Sequence, residues 1–374
     1  MPIRVVIPKE IKPGECRVAL VPGMVAKFKS LGIDLVIQSE AGLSSYFPDA
    51  LYESVEVVDA DVYAQADVVV QVQMPSVEAI DQMKPGTLLI CFAQAHLHVA
   101  EIQRLQAQKI TCYAMEMVPR ISRAQSMDAL SSQASVAGYK AALMAASLTG
   151  RFFPMLTTAA GTIRPSRTLI IGAGVAGLQA IATCRRLGAI VEGYDVRQAT
   201  KEQVESLGAK FVELAVDAET EGGYARELTD EEKAQAEALL AKHVAQANAV
   251  ITTAAIPGKP SPKLITQAMV EAMVPGSVII DLAAEGGGNC ALTQPGKEIN
   301  HNGVVIYGPL NVPSMLPIDA SEMYSKNVFN LLGLLITEGD IKLDWEDEIV
   351  ASALTYDGDI RHEATKQLVE GGVS

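Results

Sequence analysis

Apolar and polar positions along the chain fall into two successive series of the same kind. In the first, short runs rich in Val, Ile and Leu at 5–8, 34–38, 68–72, 88–92 and 111–114 read as strands. The stretches 24–31, 76–83 and 100–106 read as the helices between them. Strand and helix in alternation predict a parallel sheet with helical crossovers. This series ends near Pro119. Asp128 is then a candidate N-cap, and the Ala-, Leu- and Met-rich run from Ala129 to Leu148 predicts a long helix. The second series has candidate strands at 168–171, 190–195, 210–213, 249–253, 277–281 and 304–307. The last segment, from about 309, starts helically over 320–337 and is expected to pack back onto the first series. The reading is an α/β chain of two domains with parallel sheets. Residues 1–128 plus 309–374 form the first, completed by the C-terminal segment, and 129–308 form the second. The Gly- and charge-rich stretch 217–230 reads as a mobile loop.

Composition narrows the functional classes. The 374 residues fit two domains, and 49% hydrophobic with 20% charged residues fits large buried cores. The net charge of −14, with no basic stripe, argues against a nucleic-acid partner. No apolar run approaches the roughly 20 residues that span a bilayer. The most apolar candidate, 328–336, is short and contains Asn330 and Gly333. Met1-Pro2-Ile3-Arg4 leads directly into the first strand and does not read as a signal peptide. The five cysteines are scattered and form no C-x-x-C pair, which fits buried thiols in a reducing, cytoplasmic compartment. His96 and His98 lie two apart without a carboxylate or thiolate cluster, so no metal site is expected.

The sharpest local signal lies at 168–195. A strand, Thr168-Leu169-Ile170-Ile171, runs into Gly172-Ala173-Gly174-Val175-Ala176-Gly177, a helix follows over 178–187, and the next strand ends in Asp195. Each glycine has a mechanical reason. Gly172 makes the tight turn, Gly174 lets the backbone approach a pyrophosphate, and Gly177 lets helix and strand pack closely. The pyrophosphate would lie at the positive end of the helix. Asp195, 18 residues after the third glycine, is placed to accept both hydroxyls of an adenosine ribose. The domain is therefore Rossmann-like, and the carboxylate, which repels a 2′-phosphate, favours NAD over NADP. Val196 and Arg197 follow it, and a nearby arginine can instead accept a 2′-phosphate.

A second polar constellation occupies Arg120-Ile121-Ser122-Arg123-Ala124-Gln125-Ser126-Met127-Asp128, with Ser131 one turn later. Its two arginines, amide, carboxylate and hydroxyls suit a ligand loop at a domain junction. They equally suit a solvated loop with Asp128 as a helix cap.

Here the chain resembles a known family. The run PRISRAQSMDALSSQASVAGYK from Pro119 to Lys140 is similar to the nicotinamide loop and helix of the NAD(H)-binding component of proton-translocating NAD(P) transhydrogenase. GAGVAGLQAIATCRRLGA, KEQVESLGAKF, GGYARE, ITTAAIPGKPSPKLIT and PGSVIIDLAAEGGGN follow in the family's order. The resemblance implies that Arg120, Gln125, Asp128 and Ser131 position the nicotinamide, with Ile121 and Ser122 beside them. It implies that Tyr224, with Gly222 and Gly223, belongs to a mobile loop that closes over nucleotide. Gln235 and Ala255 are carried over as nucleotide contacts. It also implies a homodimer that is peripheral to the membrane. A second component would bring NADP(H) and a third, membrane-spanning component would couple the transfer to proton movement. Hydride transfer between two nicotinamides needs position more than acid or base on the protein, at roughly 3–3.5 Å between reacting atoms. One fingerprint supplies one nucleotide, so the second must arrive on another chain.

Two rival readings stand. Alanine dehydrogenase shares the architecture, and Arg17 and His96 fit its carboxylate-binding arginine and acid–base histidine. Against it, that family's Lys-x-Lys-Glu-Pro stretch appears here as Gln71-Val72-Gln73-Met74-Pro75, and its later aspartate as Glu285. The other rival is a non-enzymatic NAD(H)-sensing module.

Overall fold

The computed structural model describes residues 2–59, 62–213, 229–255, 260–337 and 339–371. Gly222, Gly223 and Tyr224, with most of the loop expected at 217–230, lie outside the described residues.

Two compact units emerge: residues 1–133 with 314–374, and residues 134–313. The first contains β1 (Arg4–Ile7), α1 (Val25–Lys29), β2 (Asp34–Gln38), β3 (Glu56–Val58), β4 (Val68–Gln73), α2 (Val77–Gln82), β5 (Leu88–Phe92), α3 (Val99–Ala107) and β6 (Thr111–Ala114). The long helix α4 (Ala129–Leu148) starts in this unit. The second contains the hairpin β7 (Leu156–Thr158) and β8 (Gly161–Ile163), then β9 (Arg167–Ile171), α5 (Val175–Arg186), β10 (Ile190–Tyr194), α6 (Thr200–Ser206) and β11 (Lys210–Val212). It continues with α7 (Asp230–Gln246), β12 (Ala249–Thr252), α8 (Gln267–Glu271), β13 (Val278–Asp281), β14 (Glu298–His301) and β15 (Val304–Tyr307). The chain returns to the first unit with α9 (Pro317–Leu335), the short pair β16 (Ile336–Thr337) and β17 (Asp340–Ile341), the hairpin β18 (Thr355–Tyr356) and β19 (Asp359–Ile360), and α10 (Glu363–Gly371).

Both sheets are wound the same way. The first runs β19-β18-β6-β5-β4-β1-β2-β3, and the second β11-β10-β9-β12-β13-β15-β14. Within each, the six parallel strands follow the doubly wound order 3-2-1-4-5-6, with antiparallel strands only at one edge. The order reverses between β1 and β4 in the first sheet and between β9 and β12 in the second, and ligands of such sheets bind at that switch point.

Strand alternation sends Val5 and Ile7 to one core and Val6 to the other. The C-terminal segment covers both faces of the first sheet. Tyr324, Val328, Leu331 and Leu335 of α9 join the Val5 side, and Ile360 and Val369 join the Val6 side. Helix α9 starts at Pro317 rather than 320, because proline presets the first helical φ and lacks only an N–H the first turn does not use. It stops at Leu335, where Ile336 and Thr337 turn into β16. The first turn of α4 stays with the first unit because α9 holds it. Ser132 donates to Asn327 Oδ1 at 2.7 Å and Gln133 Nε2 to the Ala320 carbonyl at 3.0 Å. No helix among the described residues is long and apolar enough to cross a membrane.

Candidate nucleotide-binding site

In the second unit the fingerprint lies at the switch point, between β9 and β12. Gly172 adopts φ +97°, a conformation L side chains rarely take, and Thr253 Oγ1 donates to its carbonyl at 3.1 Å. A methyl on Gly177 would stand 1.8 Å from the Gly172 oxygen, so this position admits only hydrogen. Gly174 is the opposite case: nothing lies within 4 Å of where its Cβ would be. Gly174 also caps α5 without a side chain on the first amides, which leaves a helix N-terminus facing open space. Partial positive charge there suits an anion. Val175 is exposed and Ala173 buried.

Asp195 follows β10 and is 6% exposed. Its Oδ2 accepts from the Ala173 amide at 2.7 Å, tying the end of β10 to the fingerprint turn. Its other donors come from Arg197: the backbone N–H and Nε to Oδ1, both at 2.9 Å, and Nη2 to Oδ2 at 2.7 Å. Arg197 is thus the partner of the acid. Val196 packs against the core on that side of the sheet. Ala255, past the end of β12, is exposed. Gln235 is exposed on α7, and no hydrogen bond joins it to the fingerprint. Two residues here were not singled out from the sequence. Asn289 clasps Ala254 from both sides, accepting its N–H at 3.1 Å and donating to its carbonyl at 2.7 Å. Gly138 on α4 would drive a Cβ to 2.0 Å from the Ala176 carbonyl, so it sets how closely α4 crosses α5. Both lie in runs whose order matched the family, but neither carries a charge or a motif position that would mark it.

In the first unit, the polar stretch after Pro119 is a short 3₁₀ helix, Ser122–Met127, followed by α4. Asp128 caps α4, accepting from the Ser131 amide at 2.8 Å and from its hydroxyl at 2.5 Å. Asn327 and Asn330 both donate to the Ser126 carbonyl, and Ala124 and Met127 are buried. Ile121 packs on the same core, while Arg120, Ser122 and Gln125 are exposed. Arg123, counted in the polar constellation, is instead committed to Asp347 by a two-bond fork at 2.6 and 2.8 Å. That guanidinium holds the Asp347 carboxyl down at about 2.

The switch point of the first sheet is filled by the chain itself. Arg17, 4% exposed, donates Nε and Nη2 to the two oxygens of Glu15 at 2.8 and 2.6 Å, and Nη1 to Gln133 at 2.9 Å. Gln73, at the end of β4, and Ser314 add donors to the same carboxylate at 2.7 and 3.0 Å. Glu10, just after β1, accepts from the Val72 and Gln73 amides. No glycine-rich turn follows β1, where the sequence reads Pro8-Lys9-Glu10-Ile11-Lys12.

Comparison with known proteins follows these two sheets along the whole chain. Residues 6–137 match the N-terminal domain of the alanine dehydrogenase/PNT family, and residues 141–363 its C-terminal domain. The chain belongs to this family. It is 48% identical to the first part of the NAD(P) transhydrogenase alpha subunit of Rhodospirillum rubrum, over 97% of this chain and 98% of that protein. The alanine dehydrogenase of Bacillus subtilis is 28% identical over 96% of this chain and 92% of that protein. A transhydrogenase crystal structure from Sinorhizobium meliloti superposes with a TM-score of 0.85 at 42% identity, covering 96% of this chain and 99% of that one. Within the alanine dehydrogenase/PNT family the chain therefore stands with the transhydrogenase alpha subunits.

The residues weighed for and against the alanine dehydrogenase reading are placed as follows. Arg17 is engaged by Glu15 and Gln133. His96 is exposed on the turn after β5 with no side-chain partner among the described residues. Glu285 Oε1 accepts from the Asn311 amide at 2.8 Å.

The same cluster makes a pH prediction. Desolvation, aided by the Glu15 charge and opposed by the Val72 and Gln73 amides, raises the Glu10 carboxyl to about 8. Burial also pushes Glu15 up, but the bonds and charge of Arg17, with Gln73, overcome it and hold Glu15 at about 2. Glu10 therefore keeps its proton in the folded chain while the unfolded chain loses it. Its contribution is complete below pH 4.5 and is lost as pH rises toward 8. Glu15 acts in the opposite sense, losing its contribution as pH falls from 4.5 toward 2. Glu10→Gln should be more stable than the parent at pH 8, by about 4 kcal/mol at most, and nearly equal at pH 4.5. Urea unfolding at the two pH values measures this, and equal differences at both would contradict it.

Proposed function

We propose that the chain is the NAD(H)-binding subunit of a proton-translocating transhydrogenase, exchanging a hydride with NADP(H) held on a partner subunit. The observation that carries this reading is the fingerprint turn. An open Gly174, an uncapped start of α5 and a buried Asp195 make one dinucleotide cradle in the second unit. The first unit repeats the strand order but has Glu15 and Arg17 at its switch point, so the described residues offer one cradle. The reduced nicotinamide supplies the hydride when bound. The protein's own residues hold, orient and exclude water. The α5 amides and Gly174 receive the pyrophosphate, with Ala173, Val175 and Gly177 shaping the turn. Asp195, Val196 and Ala255 take the adenosine side, with Arg197 beside Asp195 and Gln235 on α7. Arg120, Gln125, Asp128 and Ser131 fix the carboxamide and ring, flanked by Ile121 and Ser122. Gly223 and Tyr224 complete the assignment.

The partners follow from this chemistry: one subunit that binds NADP(H) and one that spans the membrane, leaving this chain cytoplasmic and peripheral. A homodimer is proposed with them. Phe152, Met155 and Ile163 are exposed on and beside the β7–β8 hairpin, and an isolated two-stranded hairpin is marginal in water without a covering surface.

Fluorescence titration of the purified chain tests the cradle. NADH should bind, NADPH should bind at least about tenfold more weakly, a difference of about 1.4 kcal/mol, and alanine with NAD+ should yield no NADH. Alanine-dependent NADH formation would move the chemistry to Arg17 and His96 and overturn the proposal.

A further inference from the structure

We propose that Arg197 is a specificity-determining placeholder for the adenosine ribose, occupying the acceptor positions of Asp195 that an incoming nucleotide needs. This rests on the nucleotide reading above. A carboxylate offers about four acceptor positions. All four are in use on Asp195: the Ala173 amide, the Arg197 amide, Nε and Nη2. The two amides belong to the backbone and stay where the fold puts them. The two guanidinium bonds belong to a side chain, 18% exposed, whose position the backbone does not fix. Ribose hydroxyls can reach the carboxylate only by replacing those two donors.

The arrangement keeps a buried acid satisfied through nucleotide exchange. A buried carboxylate without compensating donors is costly, and Asp195 has only 6% of its surface in contact with solvent. The fork from Arg197 satisfies it when no nucleotide is bound. The cost is paid in affinity, because only chains with the fork open are competent to bind and the apparent dissociation constant rises by that fraction. The same fork recloses as nucleotide leaves, which speeds exchange in a protein that must turn over its nucleotide. Once displaced, the guanidinium lies within a two-residue tether of the ribose edge. There it favours the 2′-phosphate of NADPH and does nothing for the 2′-hydroxyl of NADH.

The test compares the parent chain with Arg197→Ala and Arg197→Lys, the second keeping the charge but not the two-bond fork. Three readouts are taken: NADH and NADPH affinity by fluorescence, NADH dissociation by stopped flow, and thermal midpoint with and without NADH. Arg197→Ala should bind NADH about tenfold more tightly, the equivalent of releasing one charged hydrogen bond, with slower dissociation. Its empty form should melt lower, its NADH-induced rise should be larger, and its NADPH binding should weaken. Arg197→Lys should lie between the two. Weaker or unchanged NADH binding in Arg197→Ala would overturn the inference, as would a loss confined to NADPH. A parent chain that binds no NADH would instead overturn the nucleotide reading itself, and the two failures are told apart by that first titration.

Discussion

Gly177→Ala is expected to lose NADH affinity by at least about a hundredfold, close to 2.7 kcal/mol. The added methyl would stand 1.8 Å from the Gly172 oxygen and 2.8 Å from its carbonyl carbon. Both are backbone atoms, so no rotamer can absorb the contact. Either the turn opens or α5 withdraws from β9. The turn is tied to Asp195 through the 2.7 Å bond from the Ala173 amide, so its movement also displaces the carboxylate. Overpacking of this kind costs about 1–3 kcal/mol of stability, and the thermal midpoint should fall. Gly174→Ala is the informative companion. Its Cβ meets nothing within 4 Å, and its φ of −76° is ordinary for any residue. It should fold as well as the parent yet bind NADH poorly, because the methyl takes space the pyrophosphate needs. Normal NADH binding by Gly177→Ala, measured by fluorescence titration, would contradict this account of the turn.

Arg17→Ala is expected to destabilise the first unit by about 3–5 kcal/mol, since it leaves a buried carboxylate without its partner. The Glu15 side chain is fully buried, and the donors that remain to it, Gln73, Ser314 and the residue-17 amide among them, carry no charge. The double variant Glu15→Gln with Arg17→Met should recover much of the loss, because the charge is removed together with its partner. Urea unfolding followed by the fluorescence of Trp345 reads this out, as that residue belongs to the first unit, in contact with Tyr356 and Arg361. NADH affinity should change little in any Arg17 variant that stays folded. A stable Arg17→Ala chain with a changed nucleotide affinity would show that this arginine serves a ligand and not the fold.

Much of this architecture was legible from hydrophobic pattern. The strands of both sheets that run through a core are four to six residues of nearly unbroken apolar character, and pattern finds these. Strands β3, β8 and β14 escaped because they are short, exposed edge pieces whose pairing is decided by neighbours and not by their own residues. The fingerprint was legible because its glycines stand at mechanically required positions. The Glu10, Glu15 and Arg17 cluster was harder to read. A charged stretch after a strand looks like a solvated loop, and only the approach of Gln73, Gln133 and Ser314, distant in sequence, shows it to be buried. Arg123 misled for the converse reason. Its charge fitted a ligand loop, but its partner Asp347 lies 224 residues away. Arg197 was weighed as a possible phosphate ligand, and its two-bond fork to Asp195 could not be inferred from spacing alone.

The most direct measurement is hydride transfer from NADH to an NADP+ analogue of distinct absorbance, with and without a purified NADP(H)-binding transhydrogenase component. The account predicts no transfer by this chain alone and rapid transfer once the component is added, abolished in Gly177→Ala. Absence of transfer with the component present, from a chain that demonstrably binds NADH, would contradict it.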